Sequence, residues 1–345
     1  MIKIKLLEYN LHRNETTFRY YLENQDLFRE VGIDFTTSDD YDIAFVGQAS
    51  IIDKKLSIDE SIEKGLDFVS KIKGDYIIVD GQDSTTLMGT IDVFRESSAK
   101  LFLKTVYLND FSLYKKGWVN GRIYWGEGDY SVKDIDDLKP KMKLSGTNWG
   151  NTLFPKGNFQ FFGYDKNKKY DLCGMFQYPL KETVYEHDVV QTPHYNKCRK
   201  PVYDLINTTH HKVCKLVDGQ RLPYEEYVQN MYDSKIVFSP YGFGAYGAPR
   251  DVQCAQFGSV LIKPRIDWID TKPNMYVENE TYIACEQDFS DLEEKTEYVL
   301  GNFDELQTHL TENFRKRLID IYNPIHLVKH TYELLLQNLQ GIESE

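Results

Sequence analysis

The sequence predicts an α/β protein built from two parallel β-sheets with helices on both faces. Short apolar runs rich in Val, Ile, Phe and Tyr recur along the chain with helical segments between them, and this alternation is typical of parallel sheets. The chain has 345 residues, a length that suits two domains or one large α/β unit. Hydrophobic residues make up 41% and charged residues 27%, as expected of a folded globular protein.

The apolar runs fall into two series. The predicted strands of the first series are Ile2–Leu7, Ile43–Gly47, Tyr76–Asp80 and Leu101–Val106. Those of the second series are Asp171–Phe176, Val213–Val217, Ile236–Ser239, Val260–Lys263 and Tyr282–Cys285. Two such series predict two Rossmann-like halves. In open α/β sheets ligands bind beyond the carboxyl ends of the strands, so we expect the functional residues in the loops that follow these strands.

Helices are predicted between and after these strands. Their ranges are Thr16–Val31, Ile58–Lys73, Tyr195–Asn207, Pro223–Asp233, Arg250–Gln256, Leu292–Val299, Asp304–Ile321 and Ile325–Leu339. Pro223 stands where a helix is predicted to begin, a position at which its missing N–H costs nothing. Pro324 is predicted to break the last long helical region in two.

The chain divides between the two series of strands. Residues 120–158 are rich in Gly, Asp, Trp and Lys and contain no long apolar run, and Asp165–Lys169 (DKNKK) is the predicted linker. We therefore expect one domain of residues 1–165 and a second of residues 166–323. Residues 324–345 are predicted to be a C-terminal helix, for which packing back on the N-terminal domain is one possible arrangement.

The charge balance limits the partners of the protein. The formal net charge is −12, so the diffuse basic surface of a nucleic-acid-binding protein is absent and no nucleic-acid partner is expected. A local basic pocket for a small anion is compatible with this balance. The cluster of Lys197, Arg199 and Lys200 is a candidate for such a pocket, and a solvated surface is the other interpretation.

The cysteines and the N-terminus indicate a reducing, cytoplasmic setting. The five Cys residues are widely spaced and form no CxxC motif, which argues against a disulfide framework or a zinc site. The N-terminal sequence MIKIKLLEYNLHRN is too short and too charged for a signal peptide. No stretch approaches the roughly 20 apolar residues of a membrane span.

The segment Ser234–Pro264 has the most specific pattern in the chain. It is predicted to be a buried strand, a loop with Gly242, Gly244 and Gly247, a short helix that begins near Pro249–Arg250 and ends at Gly258, and a second buried strand. Gly-rich loops allow close backbone approach, and a helix N-terminus offers free N–H groups to a phosphate. Arg250 would add a bidentate partner for that phosphate. Glycines that serve only the turns are the alternative interpretation.

This segment resembles the C-terminal domain of exostosin-like glycosyltransferases and related GT-B enzymes. The resemblance rests on SK-x-x-F-x-P-x-G-x-G, on Arg250, on the helix-ending Gly258 and on the strand Val260–Lys263, and it is clear over about Asp171–Leu300. Members of the family use this unit to hold the nucleotide diphosphate and ribose of a sugar donor. Gln253 stands where the family usually has a Glu that contacts the ribose hydroxyls. An amide binds a diol less strongly than a carboxylate does.

The resemblance implies a GT-B fold, with two Rossmann-like domains that face each other across a cleft. Residues 1–165 would be the acceptor side, and residues 166–323 would bind the nucleotide-sugar donor. The expected reaction is hexosyl or pentosyl transfer from a UDP- or GDP-linked sugar to a glycan or glycoprotein hydroxyl, without a metal. The predicted donor-binding residues are Arg250, Gln253, Tyr241, Gly242, Gly244, Tyr246, Gly247, Arg199 and Tyr178.

Glycosyl transfer also needs a group that deprotonates the acceptor hydroxyl. The run Tyr76–Ser84 carries Asp80 and Asp83 from a buried strand into a tight Gly turn, at the expected edge of the cleft. Asp83 is our first candidate and Asp80 the second, although either residue could be a helix cap or part of an Asx-turn. His12, which follows the first strand, is a third candidate.

Three other motifs do not support a site. Asp134-Ile-Asp136 matches the DxD string of metal-dependent GT-A enzymes but lies in a polar segment. Glu278 and Glu286 have the E-x7-E spacing of retaining GT-B enzymes, but they lie downstream of the Gly-rich loop that such a pair spans. His210-His211 has no neighbouring carboxylate or Cys pattern that would complete a metal site.

Two other functions remain open. One is sugar transfer to modified DNA bases, against which the acidic balance argues. The other is a degenerate GT-B protein that binds a glycan or a protein partner, which the replacement of Glu by Gln253 favours. Eukaryotic exostosin relatives usually carry an N-terminal membrane anchor, and this chain shows none. We therefore expect a bacterial or viral enzyme, of the kind encoded by large algal viruses, that works in the cytoplasm or host cytoplasm.

Overall fold

The computed structural model describes two parallel β-sheets flanked by helices, which confirms the predicted α/β class. The described residues are 1–8, 17–53, 55–81, 85–87, 89–115, 132–147, 154, 156–179, 184–185, 188–189, 192–215, 222–241 and 248–338.

The first sheet has six strands in the order β2-β1-β3-β4-β5-β7, and every pairing in it is parallel. These strands are β1 (Ile2–Leu7), β2 (Ile33–Thr36), β3 (Ile43–Gly47), β4 (Asp75–Asp80), β5 (Leu101–Lys104) and β7 (Met142–Leu144). The helices of this half are α1 (Arg19–Glu23), α2 (Gln25–Glu30), α3 (Ile58–Ser70), α4 (Thr90–Glu96), α5 (Ser112–Lys115) and α6 (Ile135–Leu138).

Local capping explains where α3 begins. Ser57 stands at its N-cap and accepts from the Glu60 backbone N–H, while the Glu60 carboxylate accepts from the Ser57 N–H at 2.9 Å. This reciprocal pair satisfies two N–H groups that have no partner within the helix.

The second sheet has five strands in the order β11-β8-β12-β13-β15, again all parallel. They are β8 (Tyr170–Gly174), β11 (Val213–Lys215), β12 (Ser234–Phe238), β13 (Val260–Pro264) and β15 (Ile283–Cys285). The short pair β9 (Val184–Tyr185) and β10 (Asp188–Val189) is antiparallel. The helices are α7 (Thr192–Thr208), α8 (Tyr224–Tyr232), α9 (Pro249–Phe257), α10 (Leu292–Gly301) and α11 (Phe303–Ile321).

A two-stranded ribbon joins the two halves. Strand β6 (Val106–Leu108) pairs antiparallel with β14 (Ile269–Thr271), and the Thr271 hydroxyl donates to the Thr105 carbonyl at 3.1 Å. Strand β6 follows the carboxyl end of β5, and β14 follows the carboxyl end of β13. The ribbon therefore brings the carboxyl edges of the two sheets towards each other.

The last helix, α12 (Pro324–Asn338), packs on the first sheet. Its buried residues Leu327, Val328, Leu334 and Leu335 share an apolar cluster with β1, β3 and β4. Helix α11 ends at Ile321 and α12 begins at Pro324, so the predicted break at this proline is confirmed. Among the described residues, no helix has both the length and the apolar character that a membrane crossing requires.

Two predicted elements differ from the structure. The predicted strand Leu101–Val106 divides at Thr105, because β5 follows β4 only as far as Lys104 and the chain then turns to pair with β14. The predicted helix Thr16–Val31 is two short helices, and β2 follows it without having been predicted. Strand β2 alternates buried Ile33 and Phe35 with partly exposed Asp34 and Thr36, a short signal that the prediction did not use.

Candidate functional site

Helix α9 stands at the carboxyl edge of the second sheet, in the connection from β12 to β13. Pro249 occupies its first turn, and Gly258 ends it in the left-handed conformation with φ +67°. A Cβ on Gly258 would lie 2.3 Å from the Tyr164 Cβ, so the position requires glycine on two grounds. The predicted start and end of this helix are confirmed. The loop before it, with Gly242, Gly244, Tyr246 and Gly247, lies outside the described residues.

Arg250 and Gln253 lie on one face of α9, because residues three apart are neighbours on a helix surface. Helix α8 supplies Tyr227 to the same place, and the Tyr227 hydroxyl donates to Gln253 Oε1 at 3.4 Å. Gln253 is buried, with 8% of its surface exposed. The structure therefore brings two of the predicted donor-binding residues together, beside a tyrosine that sequence reasoning missed.

Arg250 is a charged group with spare donor capacity. Burial lowers the pKa of its guanidinium, but the Tyr227 hydroxyl and the Asp251 carboxylate beside it raise that pKa by more, and the net shift is upward. Its Nε is buried and has no hydrogen-bond partner among the residues that the structure describes. The N–H groups of the first helical turn, together with this cation, make the start of α9 a suitable place for an anion.

A buried polar network that was not predicted lies directly behind this helix turn. Lys263 Nζ of β13 is 3.1 Å from Asp251 Oδ2, and the Tyr276 hydroxyl donates to the same carboxylate. All three side chains are buried, and Asp251 Oδ1 has no hydrogen-bond partner within the described ranges. The network fixes α9 to β13 and to the loop that carries Tyr276. A lysine within the apolar run VLIKP is the sequence signal that could have revealed it, since a buried ammonium needs a partner.

Arg199 holds two loops of the carboxyl edge together. Its Nε donates to the Tyr241 carbonyl at 3.1 Å and its Nη1 donates to the Gln177 carbonyl at 3.0 Å. Arg199 is 6% exposed, and its guanidinium lies over the Phe176 ring at 5.6 Å. At least two N–H groups of Arg199 therefore donate to backbone carbonyls of the protein. Lys200 of the same cluster pairs on the surface with Asp204.

Two predicted aromatic residues are placed by these loops. Tyr241 follows β12, is 7% exposed, and its hydroxyl donates to the Arg265 carbonyl at 3.2 Å. Tyr178 follows β8, and its ring packs on Tyr203 with 4.5 Å between the ring centroids. Both residues therefore border the carboxyl edge on which Arg250 lies.

The predicted catalytic residues belong to the first half. Asp83 and His12 lie outside the described residues. Asp80 is the last residue of β4 and is 1% exposed. Its Oδ1 lies 3.1 Å from Lys104 Nζ on the neighbouring strand β5, and its Oδ2 accepts from the Thr90 hydroxyl at 2.8 Å. Both oxygens of Asp80 are thus engaged inside the protein, an arrangement that supports the end of the strand.

The remaining acidic and histidine motifs have local partners. Arg265 Nη2 lies 3.4 Å from Glu278 Oε1 and 3.5 Å from Glu286 Oε1, and Asp136 pairs with Lys115. His211 Nε2 lies 2.6 Å from Glu297. Within the described ranges, no group of three or more His, Cys, Asp or Glu side chains is placed to hold a metal ion.

No family model matches the sequence, and no curated protein matches it. Among solved structures, the apo form of the lipopolysaccharide outer core galactosyltransferase WaaB aligns with 97% of this chain and 100% of its own, at 8% identity and a TM-score of 0.52. The fold is GT-B. Its two Rossmann-like domains are the two sheets with their helices, and their carboxyl edges face each other across the β6–β14 ribbon.

Two further GT-B neighbours are more distant. Anabaena HepE in complex with UDP aligns over 98% of this chain and 100% of its own, at 8% identity and a TM-score of 0.47. An α-glucosyltransferase in complex with UDP and a 13-mer DNA that contains a central A:G mismatch aligns over 97% and 99%, at 11% identity and a TM-score of 0.40.

Proposed function

We propose that this protein is a glycosyltransferase that moves a sugar from a nucleotide-sugar donor to a hydroxyl group of a glycan. The observation that carries the proposal is the start of α9 at the carboxyl edge of the second sheet, where a charged Arg250 has an Nε without a hydrogen-bond partner among the described residues. The leaving group of such a transfer is a nucleoside diphosphate. Arginine and helix N–H groups stabilise the negative charge that develops on it.

The same edge offers a place for the rest of the donor. Gln253 has an amide oxygen and two N–H donors, and its Oε1 already accepts from Tyr227, so its N–H groups suit a ribose hydroxyl. We assign donor binding to residues 166–323 and acceptor binding to residues 1–165, with a UDP- or GDP-linked donor and a glycan or glycoprotein acceptor. The exostosin-like resemblance of Asp171–Leu300 supports this division. Whether a hexose or a pentose is transferred depends on the pocket.

The catalytic step needs no metal in this proposal. Arg250 and the first turn of α9 carry the charge of the leaving diphosphate, and Asp83, which follows β4 in the sequence, is the proposed base. Asp80, held by Lys104 and Thr90, fixes the strand end from which that loop departs. A cytoplasmic location, host cytoplasm if the source is a virus, belongs to the same proposal. All five cysteines are free, as is usual in a reducing compartment.

A donor screen tests the proposal. The full chain is incubated with UDP-, GDP- and dTDP-linked sugars and a panel of glycan acceptors, and the release of nucleoside diphosphate is measured with and without EDTA. We expect release from one UDP- or GDP-sugar, unaffected by EDTA. Binding of a nucleotide with no release from any donor would favour the degenerate binding protein. Retention of duplex DNA below about 10 μM at low salt would favour transfer to DNA bases.

A further inference from the structure

A cavity of about 420 Å³ lies where the two domains meet the C-terminal helices. Its wall is formed by Tyr20 of α1, Gly146 beyond β7, the segment 272–274 beyond β14, and residues of α11 and α12. Ligand cavities occur preferentially at such junctions between domains. Neither Arg250 nor Gln253 lines this cavity, so it is separate from the proposed donor site.

Each carboxylate of this wall lies near a basic side chain. Asp320 Oδ1 of α11 lies 3.6 Å from His326 Nε2, and Glu333 Oε1 lies 4.0 Å from Lys329 Nζ, one helical turn earlier on α12. Both carboxylates that line the cavity, Asp320 and Glu333, therefore have a basic neighbour on the protein.

Lys272 lies beside His330, a neutral side chain, and not beside a carboxylate. Its Nζ lies 2.9 Å from His330 Nδ1, and His330 Nε2 donates to the Leu144 carbonyl at 2.9 Å. Burial, with a contribution from Lys272, holds the pKa of His330 below its ordinary value, so the ring is neutral at pH 7 and accepts one ammonium hydrogen. An ammonium has three donors. No carboxylate of the described chain lies within 4.0 Å of Lys272 Nζ to take the other two.

Tyr20 adds a buried donor to the same wall. Its side chain is 2% exposed, and its hydroxyl has no hydrogen-bond partner in the described part of the chain. Buried hydroxyls normally have partners, because an unsatisfied polar group is unfavourable. A ligand oxygen would supply the acceptor that the protein does not.

We propose that this cavity binds a phosphate group, either free phosphate or the phosphate of a small organic molecule. The Lys272 ammonium supplies the charge, and the Tyr20 hydroxyl and the His330 ring supply further donors. A phosphate beside His330 favours the protonated ring, which then donates from Nδ1 to the ligand in place of accepting from Lys272. Binding and protonation are therefore linked, and each strengthens the other.

The test is calorimetry on the full chain with inorganic phosphate and with glucose 6-phosphate, at pH 6.0 and pH 8.0. We expect saturable binding at both pH values, with a proton taken up by His330 as the ligand binds. Tighter binding of glucose 6-phosphate indicates a phosphorylated small molecule as the ligand, and tighter binding of inorganic phosphate indicates the free anion. Lys272→Met should weaken binding by about tenfold or more, since it removes a charged donor, and Lys272→Arg should keep most of it.

Lys316→Met is the matched control, because Lys316 is an exposed lysine of α11 that does not line the cavity. A second readout needs no variant: saturating phosphate should raise the pKa of His330 in an NMR titration of the unaltered protein. The proposal is overturned if phosphate leaves that pKa unchanged, or if Lys272→Met binds as the unaltered protein does. Loss of phosphate binding in Arg250→Ala alone would assign the anion to the donor site instead.

Discussion

Two buried lysines each lie beside an aspartate, one pair in each domain. Lys104 contacts Asp80 at the end of two neighbouring strands, and Lys263 contacts Asp251 at the start of α9. The sequence drew attention to Asp80 because it ends an apolar run before a Gly turn. It gave no sign of Lys104, because the partners of Asp80 are set by the register of β4 against β5. Tertiary pairing of this kind has no local signal.

Removing Lys104 should destabilise the fold strongly. Lys104→Met leaves the buried Asp80 carboxylate without its cation, and breaking a buried pair in this way costs about 3–5 kcal/mol. The measurement is urea unfolding followed by circular dichroism. Lys100→Met is the control, since Lys100 pairs with Asp75 at 3.2 Å on the surface, and an exposed pair is worth about 1 kcal/mol or less. Equal effects of the two substitutions would contradict the account of the buried pair.

His330 should make stability depend on pH. Its pKa in the folded protein is lowered below the ordinary value of 6.5, mainly by burial. As the pH falls, the unfolded chain therefore takes up the His330 proton at a higher pH than the folded protein does. The contribution of neutral His330 to the free energy of unfolding is fully present above pH 6.5 and is lost as the pH falls through the folded-state pKa. The free energy of unfolding, measured in phosphate-free buffers at pH 7.5 and pH 5.5, should fall more in the unaltered protein than in His330→Gln. An equal decrease in the free energy of unfolding of the two proteins would show that His330 does not cause the pH dependence.

At the scale of elements, the end of α9 depends on one glycine. Gly258→Ala would require a left-handed alanine and a Cβ 2.3 Å from Tyr164, so we expect destabilisation of about 2–4 kcal/mol from strain and overpacking together. Gly301→Ala is the comparison, because a Cβ there has nothing within 4 Å and no positive φ is required. That substitution should be neutral or stabilising by up to about 1 kcal/mol. Thermal unfolding of both variants distinguishes the two cases, and a Gly258→Ala protein as stable as Gly301→Ala would refute the argument.

Elements whose ends are marked by a proline or a glycine could be predicted from the sequence. Pro249, Gly258 and Pro324 mark the helix boundaries that the structure shows, and β3 has the predicted bounds. Strands β6 and β14, with three residues each, were missed. These two strands pair with each other across the two domains, and the sequence around either one does not indicate that pairing.

The candidate site could also be predicted only in part. Arg250 and Gln253 belong to one local motif, and the structure brings them together on α9. Tyr227, Lys263 and Tyr276 come from three other elements, so only the folded chain reveals them.

The whole molecule places two carboxyl edges opposite each other. Strands β6 and β14 leave those edges and pair with one another, and α9 begins at the carboxyl edge of the second sheet. This arrangement suits a reaction in which a donor held on one domain meets an acceptor held on the other. It is also why we regard Arg250 as the residue on which the function depends.

Calorimetric titration of UDP and GDP into the unaltered protein, Arg250→Ala and Arg29→Ala tests this central claim most directly. Arg29 is a surface arginine of α2 that pairs with Asp34. We predict that one nucleotide binds the unaltered protein and Arg29→Ala equally. Arg250→Ala should bind it about 10- to 100-fold more weakly, because the substitution removes a charge-assisted hydrogen-bond partner of the diphosphate. Nucleotide affinity that is unchanged in a folded Arg250→Ala protein would contradict the account.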